Sequence, residues 1–333
     1  MTTTASLELK VEAQASQPNH RYDIMQPLLQ GRVPLEGITL RMSGPTDRAP
    51  FYEEERFKNG DFDLIDINWG DAIPAIDAGW EVACLPIFIK RKPVYNYLWV
   101  RTDRGINGLK DLEGKLWSTG GYNSAITIYT RGFLQHLYGV DITKFRWLLP
   151  GPTPLPLHDP KATIEMATGP RKLPAQRLLD GESDASTGDI TDPNLWKTLE
   201  SSPNVRRMFP DYQQVNERLW KEHHIFTPVH TMFISRKIER QHPGISRKLY
   251  DAFNRSTELA ISDAQGDGTS YSLVINMREI LQQQLGTWGN VYEQGIKANK
   301  NTIDYFLDYC HEQGVTKTRL GNEQFFAPGT LDT

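Results

Sequence analysis

The sequence predicts an α/β protein of two lobes, and three observations support this prediction. Its 333 residues suit two domains of ordinary size. Segments with strand periodicity alternate with segments of helical periodicity over residues 7–69. The same pattern starts again near Gly114. Alternation of this kind predicts mostly parallel sheets with helices on their faces.

The first lobe opens with three predicted strands separated by two predicted helices. The strands alternate apolar and polar residues, and the helices end at glycine or at Asn-Gly. In order, the elements are strand 7–13, helix 21–31, strand 37–42, helix 49–60 and strand 62–69. Ligands of such sheets bind beyond the carboxyl ends of the strands, so we expect Asp66, Asn68 and Trp69 to face a cleft.

Two further strands, 81–90 and 95–102, precede a second strand-to-helix unit. There GKLWSTGG, residues 114–121, predicts a short strand that runs into a glycine turn, and a helix with one apolar stripe begins at Ser124. The free N–H groups of a helix N-terminus can bind an anion such as a carboxylate. The alternative is that the glycines only make a tight turn and Ser124 only caps the helix.

The remaining elements are less regular. Residues 148–174, rich in proline, predict a long surface loop or flap, residues 175–186 a helix and a strand, and residues 187–194 a loop that borders a cleft. A strand is expected over residues 231–236, and mostly helices over residues 242–308.

Composition and charge exclude several classes of partner. Hydrophobic residues make up 38% of the chain and charged residues 23%, which is typical of a soluble globular protein. The net charge of -4 provides no basic field for nucleic acid or anionic lipid. No apolar run approaches the roughly 18 residues of a membrane span, and the start MTTTASLELK lacks the features of a secretion signal. We therefore expect a cytoplasmic protein with a small-molecule partner and with no nucleic-acid or membrane partner. The sequence leaves open whether the protein forms a homo-oligomer.

A set of stretches spread over nearly the whole chain resembles one known family. They are RYD followed by LLQGRVPLEGITL, FDLIDIN, LPIFIKRKPVYNYLWVRTDRGINGLKDLEGK, RGFLQHLYGVD, LLDGESDA, SPNVRRMFPDY, HHIFTPVHT, and HEQGV with EQFFAPGTLD. Jointly and in this order, they resemble the 4,5-dihydroxyphthalate decarboxylase-like proteins. They are more specific for the family than for its substrate.

The resemblance implies a two-lobed fold like that of the type II periplasmic binding proteins, with a ligand cleft between the lobes. Residues 1–100 and 236–333 would form the first lobe, and residues 101–235 the second. The chain would cross near residues 100–102 and return near residues 229–235. A hinge motion that closes the lobes would exclude water from the cleft.

The resemblance also implies a carboxy-lyase that releases CO2 from a hydroxylated aromatic acid without a cofactor. Electron donation from a ring hydroxyl group allows the ring carbon to be protonated first. The electron pair of the broken carbon–carbon bond then does not form an aryl carbanion. Such a site needs a general acid, an acceptor for the phenolic proton, and groups that orient the carboxylate. Two alternatives are a non-catalytic solute-binding protein for an aromatic carboxylate and an enzyme similar to the thiamine-pyrimidine synthases.

Candidate residues follow from these roles, since histidine suits the acid and arginine suits the carboxylate. The catalytic candidates are His230 and His20 as acid or base, and Asp66 and Asp189 as acceptors of the phenolic proton. The substrate-binding candidates come from segments predicted to reach the cleft: Arg21, Arg91, Tyr122, Asn123, Ser124, Asn68, Trp69 and His224. For each, a structural or surface role is the alternative.

The stretch KEHHIFTPVHTMFISR raises a metal-binding alternative, because it holds three histidines. Adjacent histidines point in different directions, so one divalent metal would accept His224 and His230 more easily than all three. No cysteine or clear carboxylate partner lies at ligand spacing. The prediction is therefore no metal and no other cofactor.

Three stretches depart from the family pattern: KRKPVYNY, HHIFTPVH and TGDITDP. In the first, a basic pair of the relatives is replaced by Val94, Tyr95 and Asn96. The departures fall in segments predicted to reach the pocket. The loss of cationic groups fits a ligand with fewer carboxylates than 4,5-dihydroxyphthalate.

Overall fold

The computed structural model describes residues 6–13, 22–43, 55–56, 61–153, 155, 157–188, 190, 192–266 and 274–333. It confirms the predicted α/β architecture, with two separate sheets. The strands are β1 (Leu7–Glu12), β2 (Ile38–Ser43), β3 (Leu64–Asn68), β4 (Val82–Arg91), β5 (Leu98–Arg101), β6 (Leu116–Ser118), β7 (Arg146–Leu149), β8 (Thr163–Met166), β9 (Ala185–Thr187), β10 (Val205–Arg207) and β11 (Pro228–Ser235). The α-helices of these ranges are α1 (Gln26–Leu29), α2 (Trp69–Asp77), α3 (Ala125–His136), α4 (Pro174–Leu179), α5 (Pro193–Ser201), α6 (Tyr212–His223), α7 (Arg236–Gln241), α8 (Ile245–Gln265), α9 (Met277–Trp288), α10 (Lys300–Glu312) and α11 (Asn322–Phe325).

The first sheet has the strand order β2-β1-β3-β11-β4. Strand β1 pairs in parallel with β2 and β3, whereas β11 runs antiparallel to both β3 and β4. The alternation of β1 buries Leu9 and Val11 on one face, as its sequence predicts. The carboxyl ends of β1, β3 and β4 therefore share one edge with the start of β11.

The second sheet has the strand order β10-β5-β9-β6-β7-β8. Strands β9, β6, β7 and β8 are parallel, so their carboxyl ends also share an edge. Strand β8 lies inside the proline-rich segment for which the sequence predicts a loop. Its four residues form a strand because they pair in parallel with β7, a contact between distant segments that local composition does not signal.

The chain crosses between the sheets twice. Residues 92–97 lead from β4 to β5, and residues 224–227 lead from α6 back to β11. Strand β11 thus belongs to the first sheet, although the predicted division places residues up to 235 in the second lobe. The difference arises because the apolar run of this strand also fits a crossing between lobes.

One hydrophobic cluster joins the two sheets. Trp69 at the start of α2 stacks on Phe306 of α10, with ring centroids 3.7 Å apart and planes 6° from parallel. Tyr309 of α10 packs so closely on Gly132 of α3 that a Cβ there would overlap its ring. Burial of each such aromatic side chain contributes on the order of 1.5–3 kcal/mol. Helix α10, predicted as part of the first lobe, therefore packs on both.

Within the part of the chain that the structure describes, no helix is both long and apolar enough to cross a membrane.

Candidate active site between the two sheets

A buried histidine and a buried aspartate form a pair at the edge of the first sheet. Asp66 lies on β3 and His230 on β11, which are neighbouring strands. Nδ1 of His230 lies 2.8 Å from Oδ1 of Asp66, a hydrogen-bond distance. His230 is 8% exposed and Asp66 is 7% exposed, so the pair is nearly shielded from bulk water. The register brings together two residues that are 164 positions apart in sequence.

This pair has the arrangement of a positioned proton donor. When Asp66 is ionised, Nδ1–H of His230 donates to it, which fixes the orientation and tautomer of the imidazole. Proton transfer to or from a ligand would then use Nε2. Asp66, predicted as an acceptor for a phenolic proton, contacts the histidine, and its role toward a ligand stays a prediction.

Asn68 joins the N-termini of two helices, one from each lobe. Its Oδ1 accepts hydrogen bonds from the backbone N–H of Gly70 at 3.1 Å and of Ala125 at 3.0 Å. Gly70 lies in the first turn of α2, and Ala125 is the first residue of α3. Helix N-termini carry partial positive charge. Two such ends therefore meet at Asn68, which lies two residues after Asp66 on β3.

Gly70 permits this close approach. A Cβ at this position would overlap the carbonyl oxygen of Asn123 and lie 2.9 Å from the backbone nitrogen of Ala125. A second hydrogen bond joins the lobes here, since Nδ2 of Asn123 donates to the carbonyl of Gly70 at 3.3 Å. The predicted ligand-binding residues Asn68 and Asn123 are thus both used in the junction between the lobes.

The glycine turn before α3 is exposed at Gly120 and buried at Tyr122. The hydroxyl of Tyr122 donates to the carbonyl of Gln313 at 3.1 Å and accepts from the backbone N–H of Lys161 at 3.2 Å. Ser124 is half-buried and occupies the N-cap position, but its side chain makes no capping hydrogen bond. The simple capping alternative is therefore absent here, and Tyr122 lies in the interior.

Trp69 is fully buried in the cluster that contains Phe306, so the structure places it in the core and not at the surface of the cleft. The residue follows the carboxyl end of β3, but it is also the first residue of α2, which turns its side chain toward the helical layer.

Arg91 is held by backbone carbonyl groups at the end of β4. Its Nη1 donates to Phe226 at 3.2 Å and its Nη2 to Glu293 at 3.0 Å, while the guanidinium lies over the ring of Phe88. Burial lowers the pKa of Arg91 to about 10. These contacts tie β4 to the segment that returns from the second lobe.

We expect Arg91→Ala to lower the free energy of unfolding by about 1–2 kcal/mol, because the part-buried carbonyl of Phe226 and the exposed carbonyl of Glu293 lose their charged donor. Urea unfolding would measure this. Arg41→Ala is the matched control: Arg41 pairs with Glu8 at an exposed position, and its loss should cost less than about 0.5 kcal/mol. Unchanged stability together with a raised substrate constant would instead favour the predicted role of Arg91 in carboxylate binding.

The other two histidines of the stretch KEHHIFTPVHTMFISR lie apart from the pair. His224 is exposed at the end of α6, where it has a left-handed backbone conformation and its ring contacts Trp220 edge-on. His223 is partly buried beside Tyr305. Among the described residues, no three side chains of His, Cys, Asp or Glu lie together as a metal site. The metal alternative built on His224 and His230 gains no support from this geometry.

Three candidates, His20, Arg21 and Asp189, lie outside the described residues. Their predicted roles stay predictions.

Arg131 is a buried charged residue that the sequence reasoning missed. It lies in α3, and it is 0% exposed. The available signal was the segment AITIYTRGFL, in which every residue is buried and only one is charged. Charged side chains are almost never fully buried without a partner, so such a position indicates a special environment.

The comparisons with known proteins agree with the predicted resemblance. No protein-family model matches the chain. The 4,5-dihydroxyphthalate decarboxylase of Comamonas testosteroni is 25% identical over 323 residues, which cover 94% of this chain and 96% of that protein. A protein of the same name from Pseudomonas putida is 22% identical over 167 residues, which cover 50% of this chain and 61% of that protein.

Solved structures resemble the chain in fold. The periplasmic aliphatic sulphonate binding protein SsuA from Escherichia coli aligns with a TM-score of 0.53 at 14% identity, over 98% of this chain and 99% of that one. The alkanesulfonate-binding protein SsuA from Xanthomonas axonopodis pv. citri, bound to MOPS, gives 0.52 at 14% identity, over 96% and 97%. The resemblance predicted from the sequence is thus confirmed: on the two-lobed fold of periplasmic binding proteins, the chain is similar over nearly its whole length to 4,5-dihydroxyphthalate decarboxylase.

Proposed function

We propose that the protein decarboxylates a hydroxylated aromatic carboxylic acid in the gap between the two sheets. The observation that carries this proposal is the buried pair of Asp66 and His230, which lies beside two converging helix N-termini. The full-length similarity to proteins named as decarboxylases supports the reaction class. The scaffold that it shares with binding proteins explains the enclosed position.

The ring is protonated before the carboxylate leaves. The imidazolium of His230 donates its Nε2 proton to the ring carbon that bears the carboxylate. The ring hydroxyl group gives its own proton to a base, the role predicted for Asp189, and becomes a ketone; the same base later returns that proton. The carbon–carbon bond then breaks, its electron pair restores the ring, and CO2 departs. The oxygen regains a proton, so one proton is consumed for each CO2 released. General acid catalysis of this kind typically contributes 10²–10⁴-fold.

Asp66 and the helix termini hold the reacting groups in place. The carboxylate of Asp66 keeps the imidazole oriented. The N–H groups of Ile126 and Thr127 have no partner within the first turn of α3, and they are suited to orient the substrate carboxylate. Positioning of reactants in this way is a main source of rate acceleration.

The test is a panel of hydroxybenzoates and hydroxyphthalates labelled with ¹³C in the carboxyl group and incubated in D2O. We expect ¹³CO2 from at least one acid, and a product with one deuterium on the ring carbon that carried the carboxylate. The matched control is the same acid without its hydroxyl group, which should bind without turnover.

Thermal stabilisation is recorded for every compound in parallel. Stabilisation by aromatic acids without release of CO2 would overturn the proposal and favour the solute-binding alternative. Turnover that disappears after treatment with a chelator and returns with a divalent metal would overturn the metal-free mechanism.

A further inference from the structure

Arg131 is a buried cation with incomplete hydrogen bonding. Its Nε donates to Oε1 of Gln313 at 2.6 Å, and its Nη2 donates to the carbonyl of Tyr122 at 2.8 Å. Its Nη1 is buried and has no hydrogen-bond partner. An unsatisfied buried donor costs free energy, so its retention in a packed interior requires a reason.

The contacts of this guanidinium are neutral. It stacks on the ring of Tyr122, with the carbon of the guanidinium 3.7 Å from the ring centroid, and it lies 5.2 Å from the ring centroid of Trp147. Across the described ranges, no ion pair joins Arg131 to a carboxylate. Burial lowers its pKa, as expected for a charge that loses hydration without gaining a counter-ion.

The position of the charge is important because the guanidinium packs against Tyr122 of the glycine turn. Helical side chains point back toward the N-terminus, and Arg131 reaches Tyr122, which lies before the first residue of α3. The next residue, Asn123, contacts Gly70 of the other lobe. The guanidinium therefore contacts the residue that directly precedes the junction between the two helix N-termini.

We infer that Arg131 is a positioning residue that makes this junction the binding site for the substrate carboxylate, which acts as its missing counter-ion. The inference rests on the proposed function for the identity of the ligand, an aromatic monocarboxylate. The carboxylate accepts from the free N–H groups of the first turn of α3. Arg131 strengthens that contact electrostatically, because a buried cation is poorly screened by water.

The experiment compares two ligands that differ only in the carboxylate: the hydroxylated aromatic acid and the corresponding phenol with hydrogen in its place. Calorimetry gives the dissociation constant of each for His230→Gln, in which turnover is suppressed, and for the same protein that also carries Arg131→Met or Arg131→Lys. We expect Arg131→Met to weaken binding of the acid by roughly tenfold or more and to leave binding of the phenol within about twofold. Arg131→Lys should retain most of the preference for the acid.

Gln313→Leu serves as the control for packing. It removes the hydrogen bond to Nε of Arg131 but keeps the charge, so it should lower stability and preserve the ratio of the two dissociation constants. Circular dichroism and thermal unfolding establish that each variant is folded. Equal weakening of acid and phenol in Arg131→Met would overturn the inference and assign Arg131 a purely structural role.

A second measurement applies even where Arg131→Met does not fold. In His230→Gln protein with ¹⁵N-labelled arginine, where turnover is suppressed, the Nε signal of Arg131, assigned with Arg131→Lys, should shift on addition of the acid and not of the phenol. An unmoved signal at saturating acid would overturn the inference. Preferential binding of the acid without turnover would refute the proposed reaction and leave the role of Arg131 intact.

Discussion

Replacing His230 with glutamine is expected to reduce kcat by roughly 10²–10⁴-fold, the usual contribution of a positioned general acid. Glutamine is close in size to histidine and can still donate a hydrogen bond to Asp66, so the fold should be retained. It cannot deliver a proton at neutral pH. Deuterium incorporation and release of ¹³CO2 measure the chemistry directly, and the dissociation constant for the acid should change little because His230 is not assigned to the carboxylate.

The matched control is His311→Gln, since His311 is exposed on α10 and has no role in the proposed reaction. This variant should keep the kcat of the wild type. If His230→Gln turned over the acid at the same rate as His311→Gln, the buried pair with Asp66 would be structural and another group would supply the proton.

Introducing a methyl group at Gly70 is expected to give the largest loss of stability by urea unfolding, at the upper end of the about 1–3 kcal/mol that is typical of overpacking. The added Cβ would overlap the carbonyl oxygen of Asn123 and press on the backbone nitrogen of Ala125. Both are backbone atoms of the opposite lobe, and they cannot rotate away as a flexible side chain can. Relief requires separation of α2 from α3, which breaks the hydrogen bonds of Asn68 and should also abolish turnover.

Gly286→Ala provides the control for this substitution. Gly286 lies in α9 and is exposed, and a methyl group added there would meet only open space. Alanine should therefore stabilise the protein by about 0.5–1 kcal/mol through its helix propensity. A Gly70→Ala protein that unfolds at the urea concentration of the wild type would show that the lobes do not meet as tightly as described.

The elements with strong local patterns could be predicted from the sequence. The alternation in β1 matches the burial observed in the structure. Helix α3 was predicted with a single apolar stripe, but the structure buries every residue from Ala125 to Leu134 because the helix packs against both lobes. Strand β8 was missed because its four residues depend on pairing with β7. The predicted division places β11 in the second lobe, whereas the strand belongs to the first sheet. The sequence does not distinguish the two, because a buried antiparallel strand and a crossing between lobes are both apolar.

The candidate site was predictable only in part, because adjacency to a strand end does not determine where a side chain points. The side chains of Asp66 and Asn68 make hydrogen bonds near the carboxyl end of β3. Trp69, the next residue, is buried in the core because it is the first residue of α2. The pairing of Asp66 with His230 depends on a register between distant strands, which no local pattern specifies. Arg131 was overlooked because it occurs within an apolar helix, whose pattern indicates packing and not charge.

The placement of α10 across both lobes has a consequence for synthesis of the chain. Trp69 and Gly132 leave the ribosome well before their covering partners, Phe306 and Tyr309 of α10. Until that helix emerges, each half exposes a large aromatic surface to water. The nascent protein therefore needs protection from association with other chains until α10 has been made.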